Sequence, residues 1–145
     1  MEQDYAVIGW REWVALPELG IRIMKAKIDT GARTSALHAS SIRICKKTNK
    51  LTFTVYPDLK QPNKSVDCIA DLIDQRWIMD SGGHKEQRYT IQTLLVLGER
   101  SHLIEITLTS RSNMRFKLLL GRSALLGLMI DPHASYLYRK KNKTL

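Results

Sequence analysis

Met24-Lys25-Ala26-Lys27-Ile28-Asp29-Thr30-Gly31-Ala32 is the stretch on which the fold turns. Its first five residues alternate apolar and polar, the period-two pattern of a half-buried strand. Asp29 follows at the strand's end, where the backbone holds a carboxylate rigidly. Thr30 brings a hydroxyl that can bond to neighbouring backbone. Gly31 lets the chain turn sharply and lets a second backbone come close. An aspartate presented in this way suits acid–base work on a water molecule. Asp, Thr and Gly are also ordinary turn residues, so the motif is weighed against the rest of the chain.

Most of that chain has strand character. Leu51-Thr52-Phe53-Thr54-Val55-Tyr56 alternates with period two and stops at Pro57, and Arg43-Ile44-Cys45-Lys46 precedes it as a partner. Further strands are expected at 66–70, 76–79, 88–94, 101–108 and 115–120. Turn signals at Pro57-Asp58, Gln61-Pro62-Asn63, Ser81-Gly82-Gly83 and Gly98-Glu99-Arg100 separate them. Ser123-Ala124-Leu125-Leu126-Gly127-Leu128 looks helical with a serine cap, and 34–38 suggests a short turn. Many short strands and little helix predict an all-β fold, a closed β-barrel with one short C-terminal helix.

The 145 residues suffice for one compact domain, expected over 1–138 with a basic tail at 139–145. No run of about 18 apolar residues exists, so no membrane-spanning helix is expected. The start, Met1-Glu2-Gln3-Asp4, lacks a signal-peptide pattern, which makes a cytoplasmic location the expectation. Cys45 and Cys68 sit among alternating apolar residues and are expected as buried free thiols. Whether they pair as a disulfide is open. There are 23 Lys and Arg against 14 Asp and Glu, a formal net charge of +9. Such a field favours an anionic partner, nucleic acid or an acidic polypeptide. Trp10, Trp13 and Trp77 lie among apolar residues and are assigned to the core. That places them outside a basic stacking groove and makes the nucleic-acid reading the weaker one.

A second motif changes the weight of the first. Leu119-Leu120-Gly121-Arg122 ends an apolar strand in glycine, far downstream of Gly31. A buried strand running into glycine can pack tightly beside an Asp-Thr-Gly turn. With this pair in order, the chain resembles the retropepsin-like aspartic peptidases. They carry Asp-Thr-Gly-Ala early, an apolar-apolar-Gly-Arg strand late, and a glycine-rich hairpin flap between. Met79-Asp80-Ser81-Gly82-Gly83-His84-Lys85-Glu86-Gln87-Arg88 is the expected counterpart of the flap, with an ordinary hairpin turn as the competing reading. Gly9-Trp10-Arg11-Glu12-Trp13-Val14-Ala15-Leu16-Pro17, the run from Ala26 to Leu37, and Thr107-Leu108-Thr109-Ser110-Arg111 narrow the resemblance further. They are similar to the family known as ATP-dependent zinc proteases, over most of positions 8 to 132. Members of that family occur beside or fused to ATP-grasp ligases that add glutamates to proteins.

The resemblance implies an aspartic peptidase acting on acidic or glutamylated polypeptides, with an ATP-grasp glutamate ligase as a partner. Asp29, Thr30 and Gly31 are the catalytic triplet. Ser81, Gly82 and Gly83 belong to the flap. Arg33, Arg88, Arg111, Arg115 and Arg122 are candidates for binding anionic side chains, as guanidinium groups grip carboxylates in a two-pronged way. For each arginine, surface salt bridging is the competing role. One Asp-Thr-Gly supplies one carboxylate, so two require a homodimer with Asp29 from each subunit. Asp80-Ser81-Gly82 resembles a second triplet, but it precedes another glycine instead of a packed strand–helix junction. No metal or other cofactor is expected from the residues. His-Glu-x-x-His and Cys-x-x-Cys are both missing, and His38, His84, His102 and His133 are scattered. Zinc enters by the family name only. Two alternatives remain, a non-catalytic module of the same fold that binds acidic peptides and a zinc-dependent peptidase.

Overall fold

The structure, a computed structural model, describes residues 5–138. The expected basic tail lies outside the described residues. Its strands in chain order are β1 (Ala6–Gly9), β2 (Arg11–Leu16), β3 (Ile21–Ile28), β4 (Ser35–His38), β5 (Ser40–Cys45), β6 (Lys50–Val55), β7 (Val66–Met79), β8 (Lys85–Leu97), β9 (Arg100–Thr109), β10 (Leu118–Leu120) and β11 (Leu128–Asp131). Nine of them form one sheet in the order β2-β3-β10-β4-β9-β8-β7-β6-β5, and β1 pairs with β11 as a separate parallel ribbon. Alternating side chains from β3, β4, β8, β9 and β10 build the core. Met24, Ala26, Leu37, Ile91, Leu95, Ile106, Leu118 and Leu120 are all buried there. Each large aliphatic side chain so buried contributes roughly 1.5–3 kcal/mol.

The expected closed barrel does not form. The sheet's edge strands, β2 and β5, do not pair, and β2 meets β8 through one bridged pair, Ala15 with Val96. The physical reason lies in β7. Its first half pairs with β6, from Val66 opposite Val55 to Asp71 opposite Lys50. Its second half pairs with β8, from Leu72 opposite Ile91 to Met79 opposite Lys85, with a register shift between Leu72 and Asp74. One long strand thus hands the sheet over to a β5–β6 wing instead of returning it to β2. The separate strands expected at 66–70 and 76–79 are the two halves of β7.

No α-helix occurs among the described residues, so the C-terminal helix is also corrected. Arg122–Ala124 is a single 3-10 turn, preceded by Gly121 in extended conformation with no side-chain cap. Gly127 takes a positive φ of 78°, and Leu128 then enters β11, registered against Ala6. Tertiary pairing overrides the local helical tendency. The turn expected at 34–38 is strand β4, and the strand expected from Arg115 begins at Leu118. No helix among the described residues is long and apolar enough to cross a membrane.

The aromatic and cysteine assignments need correction too. Cys68 is buried but Cys45 is exposed, and both are free. Burial pushes the Cys68 thiol up to about 11. Trp77 is 68% exposed on β7, outside the core. Trp13 packs at 5.6 Å on Tyr136, and the Arg11 guanidinium lies 4.4 Å over Trp10 and 4.9 Å over Tyr136.

This aromatic patch straps residues 134–138 to β2, and Glu12 fastens the strap. Glu12 is fully buried. Its carboxylate accepts the backbone N–H groups of Gly9 at 2.6 Å, Leu137 at 3.1 Å and Tyr138 at 3.2 Å. Gly9 has no substitute here, because a Cβ would stand 2.3 Å from the carbonyl oxygen of Ala134. Replacing Glu12 with Ala orphans three N–H donors, so Glu12→Ala is expected to lose about 3 kcal/mol of stability. Urea unfolding checks this, and an unchanged midpoint would contradict the strap.

Candidate active site

Two chain segments meet at Asp29. β3 and β10 run in parallel with Ile28 beside Leu120, and β4 flanks β10 with Ala36 beside Leu119. The N–H of Asp29 donates to the carbonyl of Leu120 at 2.8 Å, which carries the parallel ladder one residue past the strand end. The loop then folds back. Ala32 donates its N–H to the Asp29 carbonyl at 3.3 Å, Arg122 donates to the Ala32 carbonyl at 2.8 Å, and Ser123 to the Arg33 carbonyl at 3.0 Å.

Gly121 sits at the crossing. A Cβ there would lie 2.7 Å from the carbonyl carbon of Thr34 and 2.8 Å from its oxygen. Only glycine allows this backbone-on-backbone contact. Its N–H donates to the Ser35 hydroxyl at 3.1 Å in a buried setting. Ser35 was not singled out from sequence. A small hydroxyl residue six positions after the aspartate was the available signal, and only the crossing gives it meaning.

The Asp29 carboxylate is half-buried, and its Oδ1 accepts the Gly31 N–H at 3.2 Å. Thr30 and Gly31 are exposed. Arg122 reaches back so that its Nη1 donates to the Thr30 carbonyl at 2.9 Å. Arg122 therefore braces the loop from outside. Arg33 and Arg115 are exposed. These placements bring Asp29, Thr30, Gly31, Arg33 and Arg122 together.

The remaining expected residues belong to the β7–β8 hairpin and its neighbours. Asp80 organises the hairpin tip. Its Oδ1 accepts the N–H groups of Gly82 and His84, both at 2.9 Å, and the Gly83 N–H donates to its carbonyl at 3.1 Å. The His84 N–H above all holds the Asp80 carboxyl below its usual range. Asp80 is thus a turn-forming residue of the tip that carries Ser81, Gly82 and Gly83. Arg111 lies 3.9 Å from its Oδ2. Arg88 is buried lower on the hairpin, where its Nε donates to Glu86 at 3.0 Å.

His38, at the far end of β4, is buried with an Nδ1 that has no hydrogen-bond partner. Burial, with the nearby Lys117 charge, pushes its pKa below the ordinary 6.5. Among the described residues, no group of three or more His, Cys, Asp or Glu side chains is placed to hold a metal ion.

Residues 7–141 match the family described as RimB-like, retropepsin-like aspartic endopeptidase RimB, and the chain belongs to that family. The zinc-protease name attached to the sequence resemblance is not borne out, since the matched family is an aspartic one. Curated relatives include probable alpha-L-glutamate ligases. That of Desulfotalea psychrophila is 41% identical over 91% of this chain and 30% of its own length. That of Shewanella pealeana is 35% identical over 97% of this chain and 31% of its own length. The chain spans about a third of the length of these relatives. Among solved structures, a Legionella pneumophila protein of unknown function superposes with a TM-score of 0.76. It is 27% identical, and the match covers 92% of this chain and 98% of that one.

Two outcomes follow from the geometry. Gly121→Ala is expected to cost about 2–3 kcal/mol, because the clash is with backbone that cannot swing aside. A urea unfolding midpoint equal to that of the parent would contradict the crossing. His38 has a folded pKa below its unfolded one, so its contribution is present above pH 6.5 and is lost as pH falls from there toward the lowered value. His38→Gln is expected to flatten that acid-side loss in thermal melts taken across the window.

Proposed function

We propose that the chain is an aspartic peptidase that hydrolyses peptide bonds in acidic or glutamylated segments, with Asp29 from each of two subunits at the site. The observation that supports it most is the bracing of Asp29. Its backbone is tied to Leu120 at 2.8 Å, and the loop that follows is clamped by Gly121, Arg122 and Ser123. A carboxylate on so fixed a frame can share a site with its symmetry mate.

Two carboxylates in close contact do not both ionise, so they hold one proton between them. The ionised one takes a proton from water as the oxygen adds to the scissile carbonyl carbon. The protonated one donates to the carbonyl oxygen. Proton return to the amide nitrogen then lets the carbon–nitrogen bond break, which leaves a carboxylic acid and an amine. Asp29 is the residue in direct contact with the water in this scheme, Gly31 gives its N–H to the Asp29 carboxylate, and Gly121 is a packing residue.

Charge supports the substrate class. The chain carries a net +9, and Arg33 and Arg122 flank the Asp29 loop. The relatives' names, probable alpha-L-glutamate ligase, point to glutamate chemistry in proteins that contain a similar segment. An association with such a ligase is part of the proposal.

The test mixes purified protein with a poly-glutamate-tailed substrate, with and without a chelator. Cleavage is expected to persist with chelator and to vanish in Asp29→Asn. Undiminished cleavage by Asp29→Asn would remove the mechanism, and loss with chelator alone would bring a metal into it. Binding of acidic tails without any cleavage would favour a non-catalytic module of the same fold.

A further inference from the structure

One face of the sheet between the hairpin and β4 is both polar and buried. Paired residues share a face, so the registers Ala36–Thr107 and His38–Thr109 lead from β4 to β9, and Thr107–Thr90 leads on to β8. Arg88 lies two residues from Thr90 on the same face and is registered against Arg76 of β7. Thr107 and Thr109 are almost fully buried, and Arg88 is 8% exposed. A buried guanidinium requires a counter-charge close by.

Glu86 supplies that charge. Its Oε2 accepts from Arg88 Nε at 3.0 Å, and the Thr109 hydroxyl donates to the same carboxylate at 3.1 and 3.2 Å. The asymmetry between donors and acceptor is informative. The Glu86 side chain is 41% exposed, while its arginine partner is buried. Arg88 is also anchored from behind, with Nη1 donating to the Thr107 hydroxyl at 3.5 Å. That hydroxyl donates to the Ser35 carbonyl at 3.1 Å, and the Ser35 side chain holds Gly121. The donors are therefore built into the frame that carries Asp29. The acceptor hangs near the end of a hairpin by a side chain that can rotate out. Beside Thr109 in register, His38 adds a buried Nδ1 without a partner.

We propose that Arg88 and Thr109 form a carboxylate-binding notch, and that Glu86 fills it as a tethered stand-in which an acidic side chain of the substrate displaces. The proposal rests on the reading of the substrate as an acidic peptide. It gives Arg88 a definite place in recognition, and it makes Glu86 a competitor whose removal strengthens binding. No covalent step is involved, since one carboxylate replaces another in the same hydrogen bonds.

The test uses the full chain with Glu86→Ala, with sodium acetate and a tri-glutamate peptide as probes. In sodium chloride the variant is expected to melt below wild type. Replacing chloride with acetate at equal ionic strength is expected to raise its melting temperature, with no such change in wild type. Tri-glutamate is expected to bind the variant roughly tenfold tighter than wild type by calorimetry. Both gains are expected to disappear in Glu86→Ala/Arg88→Met. Equal responses to acetate and chloride would overturn the proposal, as would a carboxylate response that survives in the double variant. If Glu86→Ala does not fold, Glu86→Gln is measured in the same way, and the lack of an acetate-specific rise again overturns it. Tighter tri-glutamate binding with no cleavage of glutamate tails would leave the notch standing and remove the peptidase reading. Cleavage without any carboxylate response would do the reverse.

Discussion

The contact of Gly121 with the backbone of Arg33 and Thr34 is the constraint on which the other parts rest. Two chain segments distant in sequence approach until a single methyl group would collide with a carbonyl. That approach lets the Leu120 carbonyl take the Asp29 N–H, and it puts Arg122 and Ser123 where their N–H groups can pin the loop. It also accompanies the parallel pairing of β3 with β10, one of two parallel pairs, with β4 and β9, in a sheet whose other neighbours are antiparallel. The parallel register brings two strand ends to the same level, so a carboxylate and a helix-like turn emerge side by side. A Cβ at 121 would push those ends apart and free the loop.

Buried charge follows a consistent rule in this molecule. Glu12 is fully buried and its carboxylate accepts three backbone N–H groups. Arg88 is buried against the Glu86 carboxylate and the Thr107 hydroxyl. Asp29 instead is half-exposed and takes one backbone N–H, so acceptor capacity is left over. A carboxylate saturated like Glu12 would hold its frame and do little else. One with free lone pairs at the surface can take up a water or a second carboxylate. The difference in hydrogen-bond saturation separates the structural acid from the candidate catalytic one.

Part of the site was legible because its residues are local and chemically unusual. Asp29-Thr30-Gly31 and Leu120-Gly121-Arg122 are each contiguous, and at Gly121 the backbone crossing requires glycine, whereas a Cβ at Gly31 would meet only the Asp29 side chain at 3.3 Å. Ser35, Glu86, Thr107 and Thr109 were not legible as a group. They lie on three strands and meet only through register: a shift of one residue would turn Glu86, Thr107 and Thr109 to the other face, and Ser35, whose side chain faces away from them, reaches Thr107 through its carbonyl. The arginines show the same limit. Arg88 and Arg115 look alike in sequence, yet one is buried with a partner and the other is exposed.

By itself the sequence determined the strand-rich class, the two glycine junctions and the positive field, because alternation, glycine chemistry and net charge are local or additive properties. Only the tertiary structure decided whether the sheet closes. That depended on where β7 changes partners, an outcome of pairing over fourteen residues and a shift at Leu72–Asp74 that no short window contains. It decided likewise that the segment after Ala124 becomes strand, since β1 offers Leu128 an edge and pairing outweighs a weak helical preference. Short-range physics wrote the motifs, and long-range register placed them around one carboxylate.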